Sequence, residues 1–384
     1  MNIGKSDTPR IDPVTVDLDS ALFGIVKNIE ILDAVAPINY SQERSTFLDL
    51  HYSKNPEYIY HSRDLDPFVL KGKLFNLPLE VIQDEDLHSL YEGVINSYVD
   101  KVDQFSSIGT PKFLYDSLRY YGEPSEKDIR NAHFILHLPI DADGQDDTLI
   151  SSVEIQAILE NFGQQQGYEY QIKLDDNMIA NALVSGTTIK INSSAQVSAI
   201  EAHALAHHEL GVHLLTTLNA RSQPLKIFSM GCPVNTLTQE GLAVLSEFLA
   251  GHITVSRLRI LALRVLAVKS MIQEKNFRAT FMYLKEQHQV SDEQAFTITT
   301  RVYRGGGFTK DYVYLQGFHQ MLNLYETANN FHHLLVGKTS AEYLPAISRL
   351  IDKGLVILPK YITPAFSNPV PRDKIHNFIA HAIK

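Results

Sequence analysis

Apolar residues recur at helical spacing over much of the N-terminal third of the chain, which predicts a mainly helical region. Leu22 to Leu32, Leu79 to Val102 and Pro111 to Tyr121 each carry the apolar pattern of a helix that buries one face. Residues 1–19 are polar and carry two prolines, so they predict a flexible tail, and Ala34 to Asp66 predicts a loop-rich stretch. This part of the chain is expected to contribute helices rather than sheet.

The pattern changes to short alternating runs in the middle of the chain, where residues two apart would share one face of a strand. We predict three strands and one helix here. The strands are Ala132 to Leu138, Tyr168 to Leu174 and Thr187 to Asn192, and the helix is Val153 to Phe162. The middle of the chain is therefore expected to be mixed α and β.

Helical spacing returns at Ser198, which forms a capping-box signature with Glu201 and opens a long helix predicted to reach about Leu218. A second helix is predicted from near Thr236 to Gly251, since glycine is favoured just after a helix C-terminus. Beyond residue 257 the pattern predicts several helices around a loop at Arg304 to Gly307.

These elements predict an α+β fold that is predominantly helical, with a small mixed sheet beside the helix that begins at Ser198. We expect a tail followed by a single domain with three parts. The tail is 1–19, the domain is 20–384, and its parts are a helical 20–125, an α/β 126–256 and a helical 257–384.

The composition is that of a globular protein, with 44% hydrophobic and 20% charged residues. The formal net charge of -10 argues against a nucleic-acid binder, because neutralising phosphates needs an excess of Lys and Arg. The most apolar stretch, Leu258 to Val268, contains Arg259 and Arg264, so no membrane span is predicted.

Cysteine usage points to a reducing compartment, since Cys232 is the sole cysteine and cannot form an intrachain disulfide. The polar N-terminus lacks the apolar core of a signal peptide. We therefore expect a cytoplasmic protein, in which any metal is held by His and carboxylate groups.

Four histidines fall between His203 and His213, far more than 16 His in 384 residues would place there by chance. Zinc favours imidazole and carboxylate ligands, and a hydrolytic zinc site keeps three protein ligands and one open position. A glutamate adjacent to a ligand histidine can act as the general base. His208-Glu209-Leu-Gly-Val-His213 thus predicts a site for one Zn²⁺ per chain, with His208 and His213 as ligands and Glu209 as the base.

The spacing of this pair is unusual. Residues four apart differ by about 40° around an α-helix, whereas residues five apart, like His208 and His213, differ by about 140°. They can share an ion only if the helix is locally distorted. One π-type turn absorbs the extra residue, and Gly211 makes such a turn sterically easier. We predict a π-type turn between the two histidines.

Two alternatives remain for the cluster: His203 and His207 could bind the metal on a regular helix, or all four histidines could be structural. The first lacks a Glu in the usual position, so we expect His203 and His207 to pack around the site.

The third ligand should be a carboxylate, with Glu240 favoured and Glu247, two turns later, as the alternative. Either carboxylate could instead be solvated or cap a helix.

A peptidase also needs donors for the developing oxyanion, and a carboxypeptidase needs a cation for the terminal carboxylate of its substrate. Basic and tyrosine side chains that could serve these two purposes cluster in one segment beside a glycine-rich turn. We predict that this segment forms a wall of the substrate-binding site. The alternative is a surface hairpin whose side chains are solvated. The predicted wall residues are Arg301, Arg304, Lys310, Tyr312 and Tyr314.

The run Ala182 to Asn192 predicts a strand before the metal helix, and an edge strand there could pair with a peptide substrate.

Several motifs occur in the order found in one family. They are His207-His208-Glu209-Leu-Gly-Val-His213-Leu-Leu-Thr, Leu218-Asn219, Gln223-Pro224-Leu225, Gln239-Glu240-Gly-Leu-Ala243, Arg301-Val-Tyr-Arg304-Gly and Gly306-Gly-Phe-Thr-Lys310-Asp-Tyr-Val-Tyr314-Leu. From about Leu32 onward the sequence resembles the QEGLA-motif family, known in bacteria as flavohemoglobin expression-modulating proteins. That family is related to the microtubule-associated tyrosine carboxypeptidases.

The resemblance implies a zincin-like metallopeptidase with His208, His213 and Glu240 on zinc. It also implies a carboxypeptidase that removes a C-terminal residue, possibly aromatic, from a peptide or protein, since the eukaryotic relatives remove a C-terminal tyrosine from tubulin. The alternative, suggested by the bacterial family name, is a non-catalytic metal-binding protein that modulates the expression of other proteins. Intact Glu209 favours the peptidase.

Overall fold

The structure is a computed structural model that describes residues 11–61, 65–139, 148–371 and 374–384. Helices dominate, and a small amount of sheet lies in the middle of the chain, as the sequence predicts. The helices of the first third are α1 Pro13–Val26, α2 Ile31–Ala34, α3 Tyr40–Asp49, α4 Pro67–Phe75, α5 Glu85–Ser106, α6 Lys112–Tyr121 and α7 Glu126–Leu136, with a 3-10 turn at Leu79–Val81.

One N-terminal expectation was wrong. Residues 13–19, predicted in the flexible tail, are helical, because Asp12 caps α1 by accepting a hydrogen bond from the Val14 amide (3.1 Å) and Pro13 occupies the first turn, where proline is tolerated. Residues 1–10 lie outside the described residues. The stretch predicted as loop-rich contains α3, whose buried residues include Tyr40 and Phe47.

The middle of the chain alternates strands with helices before a long helical run. The elements are β1 Leu149–Ser151, α8 Ser152–Gln166, β2 Gln171–Asp175, β3 Ala182–Ser185, β4 Thr188–Asn192, β5 Gln196–Ser198, α9 Ala199–Leu205, a π-helical segment Ala206–Leu214, α10 Leu215–Arg221, α11 Ile227–Met230 and α12 Asn235–Leu249. β1 pairs antiparallel with β5, and the other sheet has the order β2-β4-β3, with β2 parallel and β3 antiparallel to β4.

The strand predicted at Ala132 to Leu138 was also wrong, since most of it lies in α7. A capping box between Ser125 and Asp128 starts that helix, and Ala132 and Ile135, three apart, are its buried apolar residues. A short apolar run does not by itself distinguish a strand from the last turns of a helix.

The last third is helical. It comprises α13 Val255–Glu274, α14 Phe277–Met282, a π-helical segment Tyr283–Gln287, α15 Asp292–Tyr303, 3-10 turns Arg304–Gly306 and Thr309–Tyr312, α16 Val313–Thr327, 3-10 turns Phe331–Val336 and Ala341–Tyr343, α17 Leu344–Asp352, α18 Pro364–Ser367 and α19 Lys374–Ala382. No helix in the part of the chain that the structure describes is long and apolar enough to cross a membrane.

Two apolar cores hold these elements. The larger packs the sheets and α8 to α10 against α12, α13, α15 and α16, and the smaller packs α1, α5 and α6 against α11 and α17. In the larger core, α12 and α16 approach most closely at Gly241 and Gly317. A Cβ on Gly241 would lie 2.3 Å from the Gly317 carbonyl oxygen, so only glycine allows this contact, which lies in the middle of α12, next to Glu240.

The C-terminal part of the chain closes over α10. Asn219 Nδ2 donates to the carbonyls of Leu335 (2.8 Å) and Tyr361 (2.9 Å), and Asn219 Oδ1 accepts from the Tyr361 amide (2.9 Å). Two residues later Thr363 lies against the π-helical segment. Residues 361–363 therefore pack against the side of the π-helical segment that carries Gly211.

Candidate metal centre and active site

The helical run from Ser198 to Arg221 carries the predicted metal motif. Its start is fixed by the predicted capping box, in which Ser198 Oγ accepts from the Glu201 amide (3.3 Å) and Glu201 Oε2 accepts from the Ser198 amide (3.0 Å). The π-type turn predicted from the five-residue spacing is present as the segment Ala206–Leu214. It brings the rings of His208 and His213 to one face, with centroids 5.0 Å apart.

Gly211 has a role in this segment that the sequence did not reveal. A Cβ at Gly211 would lie 2.9 Å from Thr363 Oγ1, closer than ordinary packing allows. The glycine therefore lets residues 361–363 pass directly behind the π-helical segment.

Glu240, in the second turn of α12, faces both histidines. Its Oε2 atom lies 3.5 Å from His208 Nε2 and 3.5 Å from His213 Nε2, while its Oε1 atom accepts a hydrogen bond from Lys310 Nζ at 2.6 Å. Oε2 is buried without a hydrogen-bond partner. Lys310 thus occupies one oxygen of Glu240 and leaves the other directed at the two imidazoles.

The arrangement suits a tetrahedral metal ion. The three side chains present ligand atoms that all lie within 4.8 Å of one another. Ligand atoms about 2.1 Å from a tetrahedral zinc stand about 3.4 Å apart, close to the separations found here. A buried carboxylate oxygen without a donor, facing two imidazole nitrogens, is a donor set that a cation would complete.

Glu247, the alternative ligand, lies on the other side of His208. The Oε1 atom of Glu247 is 2.6 Å from His208 Nδ1. Arg257 binds both oxygens of Glu247: its Nε atom donates to Oε2 at 3.0 Å and its Nη2 atom donates to Oε1 at 2.9 Å. Contact with Nδ1 leaves Nε2 of His208 free to face Glu240. The sequence pointed to Glu247 because of its helical phase, but the side chain orients the imidazole instead.

The other two histidines of the cluster pack as expected. His207 contacts the Phe162 ring (4.9 Å between centroids) and His252 (5.4 Å), and His203 stacks on His252 at 5.2 Å. Neither belongs to a group of side chains, among those the structure describes, that could enclose a metal ion.

Electrostatics at the centre are set by burial and by three carboxylates. Burial raises the pKa of Glu209 to about 7, although neighbouring His208 opposes the shift. Burial alone would lower the pKa of His208, but its contacts with Glu240 and Glu247 raise it to about 10. Burial lowers the pKa of His213 to about 4. Burial acts to raise the pKa of Glu240, yet Lys310 holds it well below the usual range.

A cavity of about 540 Å³ opens onto these residues. Four of the five predicted wall residues line it: Arg301, Arg304, Lys310 and Tyr314. They are buried rather than solvated, so the surface-hairpin alternative was wrong. Tyr312 does not line this cavity. Its hydroxyl donates to the Tyr121 carbonyl, where α6 packs against the 3-10 turn Thr309–Tyr312.

Lys338 is a cavity residue that sequence reasoning missed. Its ammonium donates to the His213 carbonyl (2.7 Å) and to Thr216 Oγ1 (3.0 Å), and burial lowers its pKa to about 8. It lies far from the motif in sequence and in no motif of its own, so no local signal could have identified it.

Strand β3 forms one wall of the same cavity through Ala182, Leu183 and Val184. It stands at an edge of its sheet, because β4 covers only one of its sides.

Cys232, by contrast, is buried away from the cavity, and burial raises its pKa to about 12, as expected of a structural thiol.

Two sequence comparisons and one structural comparison relate the chain to known proteins. A family model described as microtubule-associated tyrosine carboxypeptidase matches residues 45–384, a range that includes every residue of the centre. A Rattus norvegicus protein described as microtubule-associated tyrosine carboxypeptidase 1 is 24% identical over 387 residues, covering 95% of this chain and 70% of that protein. A crystal structure described as a lipoprotein from Colwellia psychrerythraea is 15% identical, with a TM-score of 0.47 over 91% of this chain and 77% of that one.

Proposed function

The chain belongs to the microtubule-associated tyrosine carboxypeptidase family, as its motifs predicted, and from this membership we propose that it is a zinc-dependent carboxypeptidase. Its substrate is a peptide or protein with a free C-terminus, and the residue removed is tyrosine or another aromatic residue. The zinc ligands are His208, His213 and Glu240, and Glu209 is the general base.

One observation carries the proposal: a buried glutamate adjoins a three-ligand centre and lines the same cavity. Glu209 lines the cavity together with His208, His213 and Glu240. A buried carboxylate in this position can accept a proton from water and later return it. A metal site with only a structural role would need no such neighbour.

His208, His213 and Glu240 would hold the Zn²⁺, which would supply Lewis acidity for the scissile carbonyl and would lower the pKa of water towards about 7. Glu209 accepts the proton of the attacking water and returns it to the leaving amine. Tyr314 accepts a hydrogen bond from Lys310 (2.9 Å), so its own hydroxyl proton is available to the oxyanion that develops on the carbonyl. Glu247 and Arg257 hold His208 in the tautomer that leaves Nε2 unprotonated.

The cavity walls suit an extended peptide. A substrate chain pairs with the free edge of β3 through main-chain hydrogen bonds, which do not depend on its sequence. The cationic residues that line the same cavity favour its anionic end. A metal helix beside an edge strand is the arrangement of zincin-like peptidases, so we extend the proposal to that fold. We propose a single domain that includes α1, in a cytoplasmic protein.

The proposal is tested with two peptides that end in tyrosine and differ only in carrying a free or an amidated C-terminus. The purified full chain should contain about one zinc per molecule and release tyrosine from the free acid much faster than tyrosinamide from the amide. Zinc without turnover would favour the non-catalytic regulatory alternative. Equal cleavage of both peptides would remove the carboxypeptidase assignment, and absence of zinc would contradict the metal site.

Replacing Glu247 by glutamine should weaken zinc binding by about 10- to 100-fold, because partners of a ligand histidine fix its orientation and raise its basicity. The measurement is competition with a chelating dye, under conditions where circular dichroism shows the variant folded. Glu160→Gln, an exposed carboxylate on α8, is the matched control and should bind zinc as the parent does. Unchanged affinity in Glu247→Gln would show that this contact does not position His208.

A further inference from the structure

Besides Lys190, which pairs with Asp33 and Asp175 at 4.0 Å each, four cationic side chains line the cavity, and three of them already have partners. Arg301 makes two hydrogen bonds with the Asp311 carboxylate. Lys310 binds Glu240 at 2.6 Å and Tyr314 at 2.9 Å, and Lys338 donates to the His213 carbonyl and to Thr216. These three cations are committed to the protein itself.

Arg304 differs from the other three. It is only 8% exposed, yet among the described residues it makes no ion pair, and its Nε atom is buried without an acceptor. The guanidinium lies over the Phe308 ring, 5.0 Å from the centroid. Burial and the neighbouring charge of Arg301 lower its pKa to about 10, so it remains a cation at neutral pH.

The backbone that carries Arg304 is held rigidly. Gly305 has a φ of +75°, its amide donates to the Tyr60 hydroxyl (2.7 Å) and its carbonyl accepts from the Gly109 amide (2.7 Å). A Cβ at Gly305 would lie 2.5 Å from the Phe113 ring. The turn therefore fixes the arginine in place, although no carboxylate in the described part of the chain forms an ion pair with it.

An unpaired buried charge is costly, so its retention beside a cavity calls for an anion supplied from outside. The planar guanidinium matches a carboxylate through two parallel hydrogen bonds. We propose that Arg304 is the residue that binds the terminal carboxylate of the substrate. This assignment rests on the proposed carboxypeptidase function and names the group that restricts the site to free C-termini.

Binding without turnover tests the assignment separately from catalysis. Chelated, zinc-free protein cannot cleave the peptide, and it lacks the metal that could itself bind a carboxylate. The probes are one fluorescent peptide ending in tyrosine, as the free acid and as the amide, measured by fluorescence anisotropy. The parent protein should bind the free acid more tightly than the amide. Arg304→Gln should weaken binding of the free acid by about 10- to 100-fold and leave the amide unchanged.

Two further variants complete the test. Arg304→Lys keeps the charge without the paired hydrogen bonds and should restore part of the preference for the free acid. Lys338→Met removes the other cavity cation that has no carboxylate partner and should retain the preference. Circular dichroism verifies that each variant is folded.

Loss of the preference in Lys338→Met but not in Arg304→Gln would overturn the assignment, as would equal binding of both peptides by the parent. Failure of the zinc-loaded parent to release tyrosine would instead contradict the proposed function. The two failures are therefore read from different measurements.

Discussion

Replacing Glu209 with glutamine is expected to lower kcat for release of the C-terminal residue by about 10²- to 10⁴-fold, the usual contribution of a general base. Glutamine has almost the same shape but cannot accept the water proton. Glu209 is buried and is not one of the three proposed ligands, His208, His213 and Glu240. The substitution should therefore leave these ligands and the cavity in place. Zinc content should equal that of the parent.

The measurement is single-turnover release of tyrosine at saturating peptide, with zinc determined on the same sample. Glu201→Gln is the matched control on the same helical run, because the hydrogen bonds of Glu201 are those of the capping box with Ser198. Loss of activity together with loss of zinc would mean that Glu209 supports the metal rather than the proton transfer. Full activity would contradict its role as the base.

Replacing Glu240 with alanine is expected to abolish zinc binding and to destabilise the metal-free protein by about 3–5 kcal/mol. The metal loses its single carboxylate ligand. In addition, Lys310, whose side chain is 5% exposed, loses the carboxylate that balances its buried charge. The destabilisation is therefore expected even when no metal is present, as measured by urea unfolding after chelation.

A second substitution separates the two effects. Lys310→Met added to Glu240→Ala removes the unbalanced charge and should recover most of the lost stability, while zinc binding stays absent. Lys353→Ala breaks an exposed ion pair with Asp84 and should leave the unfolding midpoint unchanged. If the double variant is no more stable than Glu240→Ala, the buried charge is not the source of the loss.

The geometry of the metal centre was more predictable than its surroundings. The spacing of His208 and His213 violates α-helical periodicity, so a π-type turn followed from geometry. The ligand number of a zinc site predicted a carboxylate, for which Glu240 was favoured over Glu247. Both arguments use constraints that lie within a few turns of one helix or in the chemistry of the ion. They do not depend on knowing the rest of the fold.

The residues that tune the centre depend on tertiary contacts and were not predictable in this way. The contact of Lys310 with Glu240 joins positions 70 residues apart, and Lys338 meets His213 across 125 residues. The phase of α12 suggested that Glu247 could reach the metal, but helical phase does not say on which side of an imidazole a carboxylate lies. The error at Ala132 to Leu138 has a similar origin, since a short apolar run fits either period.

The position of Asn219 bears on when the protein acquires its centre during synthesis. Its partners Leu335 and Tyr361 follow it by 116 and 142 residues, and Thr363 is the residue that backs Gly211. Chains emerge from the ribosome N-terminus first, and contacts between distant positions form late in folding. The motif of the candidate metal centre is thus translated long before the residues that support it. A nascent chain therefore carries His208 and His213 without the contacts that support their helical segment until residues 335–363 have been translated.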